Sequence, residues 1–393
     1  MKYRILFCTV LLLGLAAPNV FARGSAPKQK QILPEWLELG GYYKNLYLTS
    51  DTTDTKECYY ADINRLRLDA KAKFNEKWRA RVAYDNEVIF NDFGNRPDFG
   101  TIRNSQPSDL VFWGARDVYA DKPDDHIFAD HKLYRAYVSY YDPSFQVTVG
   151  KQKIDWGRAR FYSPMDLFNP INPLAVESAE RIGADAINIE MPVGSGSTIN
   201  AVYAAQDRPE NAKAGIRFFH PWNNYDVGWM AGEFNDDTVV GGMLDGYMGG
   251  AGVRGEWTYT WADDGREFLR AVVGVEQQLA KLHVLLEYFY NGGVDNNDPS
   301  RFLSDLVYAD QIRSMQKNLV SLWTDYKLTT LLTFNNYVIY DTDQQSAFVS
   351  PELKYNVMEN FDVSAGAQLP WGSSDSEFGS YEALYYTQAQ VFF

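Results

Sequence analysis

The 393-residue chain is rich in apolar and aromatic side chains and carries more acidic than basic ones: 46% of its residues are hydrophobic, 15% are aromatic, and the formal net charge is −14. This negative balance disfavours a protein that binds nucleic acid through its phosphates. The only cysteines are Cys8 and Cys58, which excludes a disulfide framework and a cysteine-rich metal site. With only four histidines in addition, we predict no catalytic residues, no metal site and no cofactor.

The first residues have the pattern of an export signal. Two basic residues come first, an apolar run follows from Ile5 to Ala17, and Val20 and Ala22 place small residues where a signal peptidase cuts. The apolar run has 13 residues, too few to cross a bilayer as a helix. The sequence therefore predicts a cleaved signal peptide at residues 1–22.

Most of the remaining chain alternates apolar and polar side chains with a period of two. In residues 64–74, the even positions from Leu66 to Phe74 are apolar and the odd positions from Arg65 to Lys73 are charged. A strand separates such sets onto two faces, whereas a helix would mix them. The segments run for about 10–14 residues, which suits tilted strands that cross a membrane better than the shorter strands of a soluble sandwich.

This alternation predicts 18 strands. They are 36–48, 60–74, 77–90, 131–142, 145–154, 184–192, 197–206, 211–220, 224–234, 237–246, 250–261, 266–278, 280–291, 316–326, 328–341, 344–356, 360–370 and 380–393. An even number returns both chain ends to the periplasm. Alternating the connections then puts every long one on the outer side, and these are 91–130, 155–183, 292–315 and 371–379.

The predicted fold class is all-β, a transmembrane antiparallel β-barrel of about 18 strands (about 16–18) with an in-folded constriction loop. The last strand ends on Phe393 and resembles the assembly signal of bacterial outer-membrane barrels. The expected organisation is a signal peptide at 1–22, a periplasmic N-terminal segment at 23–35 and the outer-membrane barrel at 36–393.

Three motifs that could carry chemistry have simpler explanations. Residues 250–255 match a dinucleotide-binding glycine pattern, but the strand alternation continues beyond them, where that pattern needs a helix. The acidic clusters 51–54 and 295–298 lack the ligand spacing of a calcium loop and are expected to be solvated loops. His283 shares a strand face with Glu287 and is expected to line the lumen.

Basic residues concentrate on the polar faces of the second and third predicted strands. Because a basic side chain facing lipid costs about 2–4 kcal/mol at the bilayer midplane, these faces are expected to line the lumen. Acidic residues share them, so the set forms a cross-strand salt-bridge network, biases the pore towards anions, or does both. The predicted channel-lining residues are Arg65, Arg67, Asp69, Lys71, Lys73, Arg79, Arg81, Asp85, Glu87 and Arg135.

The predicted connection after the fifth strand is too apolar and too rich in proline for a freely solvated loop. Its aromatic side chains need burial, and Pro164, Pro170 and Pro173 restrict its backbone. We expect it to fold into the barrel as a constriction, and a cap over the outer rim is the alternative. The predicted constriction residues are Trp156, Arg158, Arg160, Phe161, Asp166, Asn169, Asn172 and Arg181.

Parts of residues 149–187 carry a resemblance to a known group of proteins. They are Gly150-Lys151-Gln152, Trp156-Gly157, Pro164-Met165-Asp166, Asn169-Pro170-Ile171-Asn172-Pro173, Glu180-Arg181 and Gly183-Ala184-Asp185. This segment, about a tenth of the chain, resembles a signature of Gram-negative outer-membrane porins similar to the DUF1302 and alginate-export-type barrels. Alginate-export barrels pass an anionic polysaccharide through a basic lumen, but that family's substrate residues have no one-to-one match here.

These patterns predict a porin in the outer membrane of a Gram-negative bacterium, passing small solutes by passive diffusion, with anions as the candidate class. The alternatives are an export channel for an anionic polysaccharide, a barrel that sheathes a multihaem cytochrome, and an outer-membrane enzyme with a Ser/His/Asp cluster assembled in space. The expected partners are outer-membrane lipid, lipopolysaccharide and the barrel assembly machinery, but no nucleic acid. A homotrimer and a complex with a cytochrome stay open.

Overall fold

The computed structural model describes residues 33–52, 56–92, 116–122, 126–176, 181, 183–206, 211–294, 314 and 316–393. The predicted signal peptide, most of the segment 23–35, the acidic cluster 295–298 and most of the connections 91–130 and 292–315 lie outside these residues. The chain forms two units, Met1–Leu37 and Glu38–Phe393, and the fold below is that of the second. No helix within the described ranges is long and apolar enough to cross a bilayer.

Nineteen strands are found in the described residues. They are β1 (Leu37–Asp51), β2 (Cys58–Lys73), β3 (Trp78–Asn91), β4 (Arg116–Lys122), β5 (Ile127–Asp142), β6 (Phe145–Gln152), β7 (Ala184–Pro192), β8 (Thr198–Ala204), β9 (Lys213–Trp222), β10 (Tyr225–Phe234), β11 (Asp237–Met248), β12 (Ala251–Trp261), β13 (Glu267–Leu279), β14 (Leu282–Asn291), β15 (Asn318–Lys327), β16 (Leu332–Asp341), β17 (Ser346–Met358), β18 (Phe361–Trp371) and β19 (Leu384–Phe392). A 3-10 turn, Phe378–Ser380, precedes β19.

Eighteen of these strands close into one antiparallel barrel, as predicted. Each pairs with its neighbours along the chain, β3 pairs with β5, and β19 returns to β1 with Tyr42 opposite Phe392. The additional strand, β4, pairs with the first part of β5, from Ile127 to Lys132. The sequence analysis missed β4 and began β5 four residues late, because both lie inside a connection whose alternation is weak.

The outer face of the barrel is apolar and its inner face is largely polar. On β12, Trp257 is 43% exposed, whereas the preceding Glu256 is 2% exposed. The neighbouring β13 shows the same alternation at Val273 and Val272, with exposures of 58% and 1%. A closed barrel leaves no unpaired strand edge, and an apolar outer band is what the hydrocarbon of a membrane requires. The barrel therefore spans a membrane, with the predicted faces inside and outside.

Short turns join the strands at one end of the barrel, and the long connections all emerge at the other. One short turn places Gly249 and Gly250 at φ of 60° and 86°, a region that glycine adopts without steric cost. Strand β12 begins directly after this turn, so the glycine-rich pattern at residues 250–255 is a hairpin and not a strand–turn–helix unit.

The core of the molecule lies inside the barrel. The connection between β6 and β7 supplies one side of two apolar clusters, and the inner faces of the surrounding strands supply the other. The predicted in-folded loop is therefore present, and its contacts define the site described next.

Candidate functional site

The chain between β6 and β7 runs along the inner wall of the barrel. In its first part the side chains alternate, with Ile154 and Trp156 buried against the wall and Lys153 and Asp155 exposed. We call the described residues of this connection (153–176, 181 and 183) the inner segment.

One cluster anchors the inner segment to β7, β8, β10 and β11. The Trp156 ring, 1% exposed, meets the edge of Phe168 at 4.9 Å between centroids, and Phe168 in turn meets Phe234 of β10 at 5.2 Å. The Trp156 indole N–H donates to Asn200 Oδ1 of β8 at 2.6 Å. A buried indole needs such an acceptor, so β8 fixes the orientation of the ring as well as its position.

A second cluster anchors the middle of the inner segment to β13 through β17. Tyr162 stacks on Phe289 of β14 at 5.3 Å, and Phe161 meets Tyr337 of β16 at 5.9 Å. Each buried aromatic side chain is worth about 1.5–3 kcal/mol in transfer from water. The two clusters lie on different groups of strands, so the inner segment extends across the barrel interior.

Two wall carboxylates bind the backbone of the inner segment. Glu256 of β12 accepts the N–H groups of Arg158 and Ala159, the latter at 2.6 Å, and the Ser163 hydroxyl at 2.5 Å. Glu287 of β14 accepts the N–H of Arg160 at 3.0 Å and that of Phe161 at 3.2 Å. Four consecutive backbone N–H groups therefore point at two buried carboxylates.

Two wall arginines bind the carbonyl groups of the same stretch. Arg217 of β9 donates to the Trp156 carbonyl at 3.3 Å, and Arg254 of β12 donates to the Arg158 carbonyl at 3.0 Å. The barrel wall thus supplies donors and acceptors in the way that a neighbouring strand would, but through side chains.

Arg181, at the far end of the inner segment, ties its parts together. Its guanidinium pairs with Asp166, donates to the Asn169 carbonyl and contacts Asp155 at 3.1 Å. Arg135 of β5 donates to the Arg181 carbonyl at 2.6 Å. Burial raises the pKa of Asp166 to about 7, although the Arg181 charge opposes that shift.

Two of the predicted constriction residues, Asn169 and Asn172, accept backbone N–H groups of the inner segment. Asn169 Oδ1 accepts the Ile154 N–H at 2.8 Å, and Asn172 Oδ1 accepts the Leu174 N–H at 3.1 Å. Asp166, another predicted constriction residue, is buried beside Arg181. Its Oδ2 atom pairs with Arg181, whereas its Oδ1 atom is buried with no hydrogen-bond partner among the described residues.

Arg158 and Arg160 are the exposed basic side chains in the middle of the inner segment. Among the described residues, neither guanidinium has a carboxylate within 4.0 Å, and Arg160 lies 3.9 Å above the Trp323 ring on the inner face of β15. Ala159 and Phe161, which alternate with them, are buried in the second cluster. This alternation therefore directs two guanidinium groups without a contacting carboxylate into the lumen.

The predicted basic face is present on β2 and β3, but most of its charges are paired. Arg67 binds Asp85 at 2.5 Å, and Arg65 binds Glu87 at 2.6 Å. Two pairs on this face are more exposed: Arg81 pairs with Asp69 at 2.6 Å, and Lys71 pairs with Glu38 at 3.2 Å. In the described part of the chain Lys73 and Arg79 have no such partner, and Arg79 lies over the Tyr141 ring at 4.4 Å.

A bulge brings Arg135 to this site. On β5, Arg135 is opposite Ala83 and Leu133 is opposite Tyr84, so Tyr134 is an extra residue in the ladder. Both Tyr134 and Arg135 are buried, and the Arg67 guanidinium lies 4.1 Å above the Tyr134 ring. Bulges of this kind redirect side chains, and here one turns Arg135 towards the inner segment.

The sequence analysis missed the wall groups that hold the inner segment. The strand register from β11 to β15 could have indicated them. The residues directly opposite Glu256 are Met243 and Val272, and those opposite Glu287 are Gly274 and Ser321. A buried carboxylate with no basic cross-strand neighbour needs hydrogen-bond donors from elsewhere. That argument requires the register, which the alternation alone does not fix.

Comparisons with solved structures show that bacterial proteins share this fold. The chain superimposes on OccK9 (OpdG) of Pseudomonas aeruginosa with a TM-score of 0.59 at 10% identity, covering 91% of this chain and 98% of that one. It covers 97% of OccAB4 of Acinetobacter baumannii with a TM-score of 0.55, again at 10% identity over 91% of this chain. The outer membrane protein opdK of Pseudomonas aeruginosa gives 0.54 at 10% identity over 91% and 98% of the two chains.

The fold is that of an outer-membrane β-barrel. At these identities the likeness concerns the fold alone, and it agrees with the closed barrel and the apolar outer band described above. No family model and no curated protein matches the chain, so the resemblance to the DUF1302 and alginate-export-type families stays a prediction.

Proposed function

We propose that the protein is a diffusion channel of the outer membrane that admits small solutes and prefers anions. The observation that carries this proposal is the inner segment, which lies inside a closed barrel and directs Arg158 and Arg160 into the lumen. Similarity to opdK, which is named as an outer membrane protein, supports the channel role.

The anion preference is assigned chiefly to these two arginines. Charge screening is weak inside a narrow pore, so a guanidinium that contacts no carboxylate attracts anions over most of the cross-section of the pore. By contrast, Arg65 and Arg67 are neutralised by Glu87 and Asp85 at hydrogen-bond distance and contribute little net field.

The fixed position of the inner segment inside the barrel favours passage of small solutes over export of a polysaccharide or enclosure of a cytochrome. A polysaccharide or a cytochrome inside the barrel would need the space that two apolar clusters and the bonds to Glu256 and Glu287 occupy. Displacing the segment would expose its aromatic side chains and leave those carboxylates without donors.

The test is the reversal potential of the purified protein in a planar bilayer under a salt gradient. The wild type is expected to be more permeable to chloride than to potassium, and Arg158→Gln with Arg160→Gln is expected to lower that permeability ratio several-fold. A matched control removes two exposed positive charges at the turn end of the barrel, Lys281→Gln with Lys327→Gln, and should change the ratio much less. A wild-type ratio below one, or equal shifts in both double variants, would contradict the proposal.

A further inference from the structure

Glu256 and Glu287 are the acceptors for four successive backbone N–H groups of the inner segment, those of residues 158 to 161. The two carboxylates project from strands β12 and β14, with β13 between them, and both are nearly inaccessible, at 2% and 1% exposure. Glu256 receives donors on both oxygens, because Ser163 donates to the second one. All these contacts come from N–H or O–H donors, which suits the ionised form of a carboxylate.

This binding mode determines which way the arginine side chains point. Exposed and buried side chains alternate from Arg158 to Phe161. With the N–H groups held at the wall, Ala159 and Phe161 enter the apolar cluster, and Arg158 and Arg160 are left facing the lumen. Rotating this stretch would exchange the two sets, and releasing it would let the guanidinium groups leave these positions.

We propose that Glu256 and Glu287 are positioning residues for ion selectivity, acting through Arg158 and Arg160. This inference rests on the anion-preferring channel proposed above and adds the wall residues that set its filter. By their field alone, two negative charges beside the lumen would disfavour anions. Here they sustain the preference for anions, because they hold the two arginines in place.

The direction in which the permeability ratio changes distinguishes a positioning role of the two carboxylates from a direct effect of their charge. Removing a lumen carboxylate makes the pore more positive, so a field effect alone raises the chloride-to-potassium permeability ratio. Loss of positioning lowers it. Glutamine and leucine remove the same charge, but glutamine keeps an oxygen acceptor at the place of the carboxylate, and leucine leaves the backbone N–H groups without one.

The experiment compares Glu256→Leu with Glu287→Leu, made together, against Glu256→Gln with Glu287→Gln. Reversal potentials are measured on protein whose heat-modifiable gel migration shows a folded barrel, and the four single variants are recorded in parallel in case the double leucine variant does not fold. We expect the leucine variants to lower the permeability ratio several-fold, and the glutamine variants to keep or raise it. Asp226→Asn, a charge change on β10 beside a 320 Å³ cavity that the inner segment does not line, is expected to raise the ratio slightly.

Equal shifts in the leucine and glutamine variants would overturn the positioning role, since charge alone would then explain them. The Arg158→Gln with Arg160→Gln variant distinguishes the two levels of failure. If that variant leaves the ratio unchanged, the proposed filter is wrong; if it lowers the ratio and the leucine variants match the glutamine variants, only the positioning role is wrong.

Discussion

Replacing Arg67 by glutamine should destabilise the barrel wall rather than change its ion selectivity. The Arg67 and Asp85 side chains are 5% and 1% exposed, and two hydrogen bonds of 2.5 and 2.8 Å join them. Removing one partner of a buried pair costs about 3–5 kcal/mol, because it leaves the other charge uncompensated. Arg65 Nε stays 3.6 Å from Asp85 and offsets part of this, so we expect a loss near the lower end, about 3 kcal/mol.

The assay is equilibrium unfolding by urea in lipid vesicles, followed by tryptophan fluorescence. Arg79→Gln is the matched control, since it lies on the same face but is exposed and pairs with no described carboxylate. Its expected effect is under about 1 kcal/mol, the contribution of an exposed cation–π contact. If Arg67→Gln unfolds at the wild-type urea concentration and instead lowers the anion preference, the assignment of the buried pairs to structure is wrong.

Three further outcomes are expected. Epitope tags inserted at Gly249 and at Asp264 should differ on intact cells, with antibody reaching only Asp264, and equal labelling would contradict the assignment of the two barrel ends. Burial raises the pKa of Asp166 from 3.8 to about 7, so the folded state binds this proton more tightly than the unfolded state does. The free energy of unfolding should therefore fall as the pH rises from about 4 through 7. Asp166→Asn should flatten this pH dependence in urea titrations. Trp156→Phe removes the bond to Asn200 and should cost about 1–3 kcal/mol in the same titrations, because a buried acceptor loses its donor; an unchanged midpoint would refute that contact.

The strand pattern could be predicted from the sequence because it depends on local alternation. In residues 65–74 the two faces differ at every position, and the barrel places them as expected, with Leu66 exposed and Arg65 buried. The even number of strands also placed all long connections at one end. β4 was missed because its seven residues pair with an extension of β5 that the sequence does not mark as a strand.

The in-folded segment could be predicted as a location but not as a set of contacts. Its aromatic residues and prolines show that it must be buried, and a barrel offers its interior. The groups that hold it, Glu256 and Glu287, lie about 100 residues or more further along the chain and bind backbone N–H groups, which have no side-chain signature in a sequence. The pairing of Arg67 with Asp85 depends likewise on register, since a shift of two residues would leave the same faces inside but with different partners.

The most direct test of the channel account is the single-channel conductance of the wild type and of a variant lacking residues 161–173. The barrel closes through backbone pairs that do not involve this stretch, so the variant is expected to fold and to show heat-modifiable migration. A barrel of about this strand number is wide when empty. We predict a small wild-type conductance that rises several-fold in the variant. An unchanged conductance in folded variant protein would mean that the inner segment does not set the narrowest point, and the proposed filter at Arg158 and Arg160 would be contradicted with it.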